Sequence, residues 1–202
     1  MFDDKTIEAL TVMATEAGLD PAALLAVAEV ESGGCALFTV EGRKEPAIRF
    51  EGHYFDRRLS GRIRDYARKH GLSAPEAGAI RNPAVQAERW LLLERAMGLN
   101  PKAALESTSW GLGQVMGAHW QWLGYESVKA MVAEARGSVV GQVQLMLRYI
   151  DKAGLAGLLR AHDWRGFARR YNGPAFARNR YDTRMAEAWR RWHARFSPQK
   201  AA

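Results

Sequence analysis

Residues 21–32 constrain the chain most, because they read as a helix that is apolar on nearly every face. Leu24, Leu25, Ala26, Val27, Ala28 and Val30 leave no polar stripe, the pattern of a helix buried at the centre of a fold. Asp20 followed by Pro21 is a start signal: the Asp side chain accepts from the first free N–H groups, and proline lacks the N–H that would be orphaned there. Ser32, Gly33 and Gly34 end the helix, and two glutamates, Glu29 and Glu31, interrupt it in its last turn.

A carboxylate at the C-terminal end of an apolar helix is electrostatically misplaced. The unpaired carbonyls there repel negative charge and the surroundings are poorly solvated, so both effects favour the protonated form. Raising a glutamic acid from about 4.3 to about 6 needs roughly 2.3 kcal/mol of differential destabilisation, which burial supplies. That is the tuning a general acid needs to protonate a glycosidic oxygen near neutral pH, and Glu31 has the position for it. The alternative is that Glu29 and Glu31 are surface residues on a helix end.

Around this helix the chain reads as mainly α. Residues 4–17 have helical apolar spacing (Ile7, Leu10, Val12, Met13), with Gly18 as a left-handed stop. Residues 36–50 change character, and Phe38 to Val40, a turn at Glu41-Gly42-Arg43, and Ala47 to Phe50 predict a small irregular hairpin. Everything after it reads as helical. Asn82-Pro83 starts a helix ending near Gly98, Asn100-Pro101 a short one, and Gly137-Ser138 precedes another. Asp163 caps one at Trp164, and a last amphipathic helix spans 175–196. Glycines, Ser73 and Pro75 within residues 60–82 mark the expected break between lobes.

Composition narrows the class without choosing the chemistry. At 202 residues, with 48% hydrophobic and 25% charged residues, one domain over 1–202 is expected and disorder is excluded. The net charge of +7 is uneven, since residues 160–202 hold 11 basic and 3 acidic side chains. Such a patch attracts polyanions, whether nucleic acid, anionic lipid or the carboxylates and phosphates of a cell envelope. A single cysteine, Cys35, excludes an intrachain disulfide. Residues 1–14 lack the basic n-region and apolar h-region of a secretory signal, and no run approaches a transmembrane span. Synthesis in the cytoplasm is the expectation.

Three segments carry a resemblance. The run from Leu25 to Gly34 is similar to the apolar helix and Glu-Ser-Gly motif of lysozyme-like glycosidases and lytic transglycosylases. Ser107 to Val115, with Gly111-Leu112-Gly113-Gln114, resembles the Ser…Gly-Leu-x-Gln motif of that superfamily, and Tyr171-Asn172-Gly173 its Tyr-Asn-Gly motif. Gly42, Arg43 and Pro46, leading into Phe50-Glu51-Gly52-His53, narrow it to the N-acetylmuramidase family common in endolysins of phages that infect Gram-negative bacteria. The resemblance implies a lysozyme-like fold with a small β-hairpin lobe beside a larger helical lobe, and bacterial peptidoglycan as substrate. It implies cleavage of the β-1,4 bond between N-acetylmuramic acid and N-acetylglucosamine, cell lysis, and action in the periplasm by a stand-alone catalytic domain. The glutamate before Ser-Gly, the family's catalytic acid, maps onto Glu31.

The second carboxylate is Glu51 or Glu41. Glu51, inside an apolar strand, is favoured over Glu41 at a turn; its alternative role is an ion pair with Arg49 or His53. An inverting enzyme would hold the two carboxyl groups about 6.5–9.5 Å apart and a retaining one about 5–5.5 Å. Ser109 and Gln114 offer a hydroxyl and an amide to a glycan, with Gly111 and Gly113 admitting the sugar close to backbone, while Tyr171 and Asn172 close the opposite wall. Trp110, Trp120 and Trp122 are candidates for core or for a sugar subsite. Five scattered histidines without metal spacing predict no metal, and no cofactor is expected.

The final helix is expected to pack its stripe of Tyr181, Met185, Ala188, Trp189, Trp192 and Phe196 on the core and turn its arginines outward, with an anionic outer-membrane or wall surface as a further partner. A monomer that binds no nucleic acid is expected. The rival readings are a lytic transglycosylase leaving 1,6-anhydro ends, and a non-catalytic basic module that binds nucleic acid or wall polymer.

Overall fold

A computed structural model gives the structure, described here for residues 1–197; Lys200, part of the basic C-terminal count, lies outside the described residues. In chain order the elements are α1 (Asp4–Glu16), α2 (Pro21–Ser32), β1 (Leu37–Val40), β2 (Arg43–Pro46), β3 (Ile48–Phe50), α3 (Gly52–Arg58), α4 (Gly61–Lys69) and α5 (Gln86–Met97). They continue with α6 (Pro101–Glu106), β4 (Thr108–Trp110), β5 (Val115–Met116), α7 (Val128–Gly137), α8 (Val139–Lys152), α9 (Ala156–Arg160), α10 (Trp164–Tyr171) and α11 (Tyr181–Phe196). The fold is mainly α, with two small antiparallel sheets. Among the described residues two compact units result, one from Met1–Ala36 with residues 146–197, the other Leu37–Leu145.

In the first unit α2 holds the central place that its composition requires. Ala22 through Ala28 are all buried, and α1 and α11 pack along it. Asp20 caps it as expected, accepting from Ala22 N at 2.9 Å, and the same carboxylate receives Trp189 Nε1 of α11 at 2.7 Å. The far end is tied to α11 as well: Glu29 accepts from Arg191 Nη2 at 2.5 Å and from Trp192 Nε1 at 2.7 Å. Met185, Ala188 and Trp192 are buried, so much of the expected stripe packs on the core, whereas Phe196 stays exposed. α11 starts at Tyr181 rather than near residue 175, because a separate 3-10 turn, Phe176–Asn179, and Arg180 in the left-handed region (φ 52°) interrupt the path.

In the second unit β1 and β2 form the hairpin, with Val40 opposite Arg43 and both turn residues, Glu41 and Gly42, at positive φ. The returning strand is Arg43–Pro46, earlier than the alternation at 47–50 suggested. Ile48–Phe50 instead belongs to a second sheet of order β3-β4-β5, in which Arg49 pairs with Ser109 and Trp110 with Val115. Strands β4 and β5 correct the expectation that everything after the hairpin is helical: Thr108–Trp110 is too short to show a period, and its pairing with β3 is long-range. Asn82 does not start a helix. It completes the free edge of β3, its Oδ1 accepting from Phe50 N at 2.9 Å and its Nδ2 donating to Phe50 O at 2.6 Å, and α5 begins only at Gln86. Residues 60–82 are not the break between units, since α4 occupies much of them and the boundaries fall at 36/37 and within α8. No helix among the described residues is long and apolar enough to cross a membrane.

Candidate active site

Glu31 sits one residue before the end of α2, where Gly33 turns left-handed (φ 72°). Part of the side chain stays accessible, but the carboxyl is closely surrounded, and this burial raises its pKa from the ordinary 4.5 to about 7. Two groups oppose the shift: a hydrogen bond from Asn172 Nδ2 to Oε1 at 2.6 Å, and the positive charge of Arg184. Burial wins, so near neutral pH the proton is about equally on and off. Asn172 follows the last residue of α10, and its Oδ1 is buried with no hydrogen-bond partner among the described residues.

Tyr171 is packed against the edge of Tyr149 (5.2 Å between ring centres) and stacked on Phe167 (5.1 Å). Burial, followed by the nearby charge of Glu31, holds its phenol well above the usual range, so it stays neutral. The sequence motifs gave no sign of Arg184. Its Nη2 donates to Val30 O at 3.3 Å, covering one of the open carbonyls at the end of α2. A contact formed across 154 residues leaves no local pattern to read.

The structure therefore brings Glu31, Tyr171 and Asn172 together in the first unit. Glu51, Ser109 and Gln114 belong to the second. Glu51 occupies the N-cap position of α3, just past the strand expected to hold it, and its backbone N–H donates to Ser107 O at 2.8 Å. Its carboxylate pairs with Arg49 Nε at 2.7 Å and lies 3.5 Å from His53 Nδ1 without hydrogen-bond geometry. Glu41 is exposed at the tip of the hairpin.

Ser109 is buried and its hydroxyl points at Met116 Sδ, 3.0 Å away. Gln114 takes up φ 46° and donates from Nε2 to Gly111 O (2.8 Å) and Ala47 O (3.2 Å), so its amide nitrogen fastens the loop to the sheet. Gly111, at φ +68°, does not open backbone to a sugar on its Cα side: a Cβ there would lie 3.1 Å from Gln142 Cγ. Gln142 fills that space and accepts from Leu112 N at 3.1 Å.

The tryptophans divide by role. Trp110 is core, with Nε1 bonded to Leu105 O; Trp120 donates to Glu106; Trp122 is 46% exposed beside His119. Glu106, which the sequence reading passed over, also receives Arg58 Nε at 3.2 Å and so organises a second ionic cluster.

Comparison with known proteins follows the same line. The family model described as N-acetylmuramidase matches residues 20–193. A solved structure titled "Crystal structure of Burkholderia AP3 phage endolysin" is similar with a TM-score of 0.76 and 34% identity, covering 93% of this chain and 71% of that one. No curated protein matches. With most of its length matched, from the cap of α2 into the last turn of α11, this chain belongs to the N-acetylmuramidase family of lysozyme-like glycoside hydrolases.

Proposed function

We propose that the protein cleaves the β-1,4 bond between N-acetylmuramic acid and N-acetylglucosamine in bacterial peptidoglycan, as one catalytic domain over 1–202, and that Glu31 protonates the leaving oxygen. The observation that carries this is the Glu31 carboxyl, held near a pKa of 7 by burial at the end of an apolar helix. Asn172 Nδ2 engages Oε1, so the transferable proton belongs on Oε2. When the proton leaves, Asn172 and Arg184 are already placed to stabilise the carboxylate that forms.

Glu51 is the second carboxylate in this reading, oriented by Arg49 and activating water or steadying the oxocarbenium-like sugar. Ser109 and Gln114 in one unit, and Tyr171 and Asn172 in the other, are the glycan-binding candidates of this reading. The phage endolysin likeness supports breakdown of the bacterial wall as the biological setting; synthesis in the cytoplasm, action in the periplasm and a monomeric working species complete the proposal.

One observation favours a second reading. Asn172 and Arg184 are the groups that oppose the burial of Glu31, and among the described residues of its own unit no carboxylate contributes to its shift. A one-acid lytic transglycosylase, in which the sugar's own 6-hydroxyl attacks, needs no more than that. Mass spectrometry of fragments from purified peptidoglycan separates the two, using the wild type with folded Glu31→Gln and Glu51→Gln. Reducing muramic ends lost in both variants support the two-carboxylate muramidase; anhydro ends lost only with Glu31→Gln make it a transglycosylase. No fragments from the wild type would remove the enzymatic reading of this chain.

A further inference from the structure

The arginines that the sequence placed outward on α11 are partly spent inside the protein. Arg184 covers Val30 O, Arg191 binds Glu29, and Arg195 lies 3.7 Å from Asp4. The uncommitted charge lies just upstream. Residues 164–181 contain five arginines and no acidic residue. Arg165, Arg169, Arg170, Arg178 and Arg180 are all exposed, and none forms an ion pair among the described residues.

Local stability does not account for this charge. Arg169 and Arg170 sit in the last turn of α10, where a cation is favourable, but Arg165 sits in the first turn, where it is not. Arg165 and Arg169 are four residues apart on one helix face, a spacing at which like charges repel. Arg178 closes only the short 3-10 turn, and Arg180 is the left-handed residue that stands at the N-cap of α11, an end at which a cation is unfavourable. A face that works against its own helix and has no acidic partner among the described residues is complementary to an anion outside it.

Its place in the chain says which anion. α10 runs directly into Tyr171 and Asn172, and Asn172 holds the Glu31 carboxyl. With about 1.5 Å of rise per residue on a helix of about 2.3 Å Cα radius, the Cα atoms of Arg169 and Arg170 lie roughly 5 Å from that of Asn172. A peptide hanging from a sugar bound at Glu31 covers about 3.3 Å per residue, so its carboxylates come within reach of these guanidinium groups after a few residues. We infer that the α10 arginine face binds the carboxylates of the stem peptides carried by muramic acid, making the enzyme selective for peptide-bearing over bare glycan. The inference rests on Glu31 as the acid.

The test compares kcat/KM on peptidoglycan strands with intact stem peptides and on the same strands stripped by an amidase. The wild type is expected to prefer the peptide-bearing strands by about tenfold, the sum of several exposed charge-assisted contacts. The preference should fade at high salt. In the Arg165→Gln/Arg169→Gln/Arg170→Gln/Arg178→Gln variant the ratio of the two values should fall toward one, mainly through KM on the peptide-bearing strands. The melting temperature should hold or rise, because repulsion is removed. If that variant fails to fold, Arg169→Gln/Arg170→Gln carries the same expectation at part of the size.

An unchanged ratio overturns the proposal. So does an unchanged ratio accompanied by loss of binding to phosphatidylglycerol vesicles, which would make the face an envelope-surface contact. Full turnover of both substrates by Glu31→Gln would instead bring down the acid assignment, an outcome distinct from any change in the ratio.

Discussion

Asn172 donates from Nδ2 to Oε1 of Glu31 across 2.6 Å, although the two residues are 141 positions apart and one ends α10 while the other ends α2. The bond favours the charged carboxylate, and burial favours the neutral acid more strongly. This balance sets both the chemistry and the stability of the site.

Removing the donor should shift the balance further toward the acid. In Asn172→Ala, the alkaline limb of the kcat/KM profile is expected to move to higher pH than in the wild type, whose limb should lie near 7. The turnover number should fall roughly 10- to 100-fold, because the carboxyl is no longer held in place. A pH–rate series on solubilised peptidoglycan checks this, and an unmoved limb would contradict the assignment of Asn172 to positioning.

Glu31 should cost the fold stability in return. Its folded pKa is raised from 4.5 to about 7, so the associated stability is fully present below 4.5 and is lost as pH rises through about 7. The loss amounts to roughly 3 kcal/mol when complete. Glu31→Gln cannot ionise, so thermal or urea unfolding should show its advantage over the wild type growing from pH 5 to pH 8. Activity should drop by at least about a hundredfold. Equal pH dependence in the two proteins would show that the carboxyl is not buried as described.

Glu29, two residues away, serves packing through its hydrogen bonds. Its carboxylate satisfies Trp192 Nε1, which belongs to a side chain only 4% exposed, and binds Arg191. Glu29→Ala leaves a buried donor unpaired and should destabilise the protein by about 1–3 kcal/mol, measured by denaturant unfolding. The pH–rate limb assigned to Glu31 should not move.

Gly111→Ala tests why the Gly-Leu-Gly stretch needs glycine. The substitution forces a side chain into the left-handed region and 3.1 Å from Gln142 Cγ, which disturbs the bond from Leu112 N to Gln142. A loss of about 1–3 kcal/mol is expected. Shortening Gln142 to Ser in that background should return less than half of it, because the backbone strain remains.

Several local features were readable from sequence because their causes are local. Asp20, Asn100 and Asp163 cap the helices they precede, and Gly18 and Gly33 stop theirs, since a capping oxygen or a positive φ acts within a few residues. The hairpin was legible, but its returning strand was placed too late. The apolar alternation at 47–50 belongs to a strand whose partner, Thr108–Trp110, is some sixty residues away and too short to announce itself. Asn82 looked like a helix start because Asn-Pro usually is one, and the edge of β3 claimed its side chain instead.

The amino-acid sequence by itself determined the buried helix, the acid at its end, and the three motifs that placed the chain among the lysozyme-like glycosidases. Those depend on pattern and on neighbours in the chain. Only the tertiary structure decided which groups act on each glutamate: Asn172 and Arg184 reach Glu31 and Val30 from the far end of the sequence, Arg191 and Trp192 bind Glu29, and Gln142 occupies the face of Gly111. Burial and charge are sums over everything that surrounds a group, and no local stretch of sequence contains those surroundings.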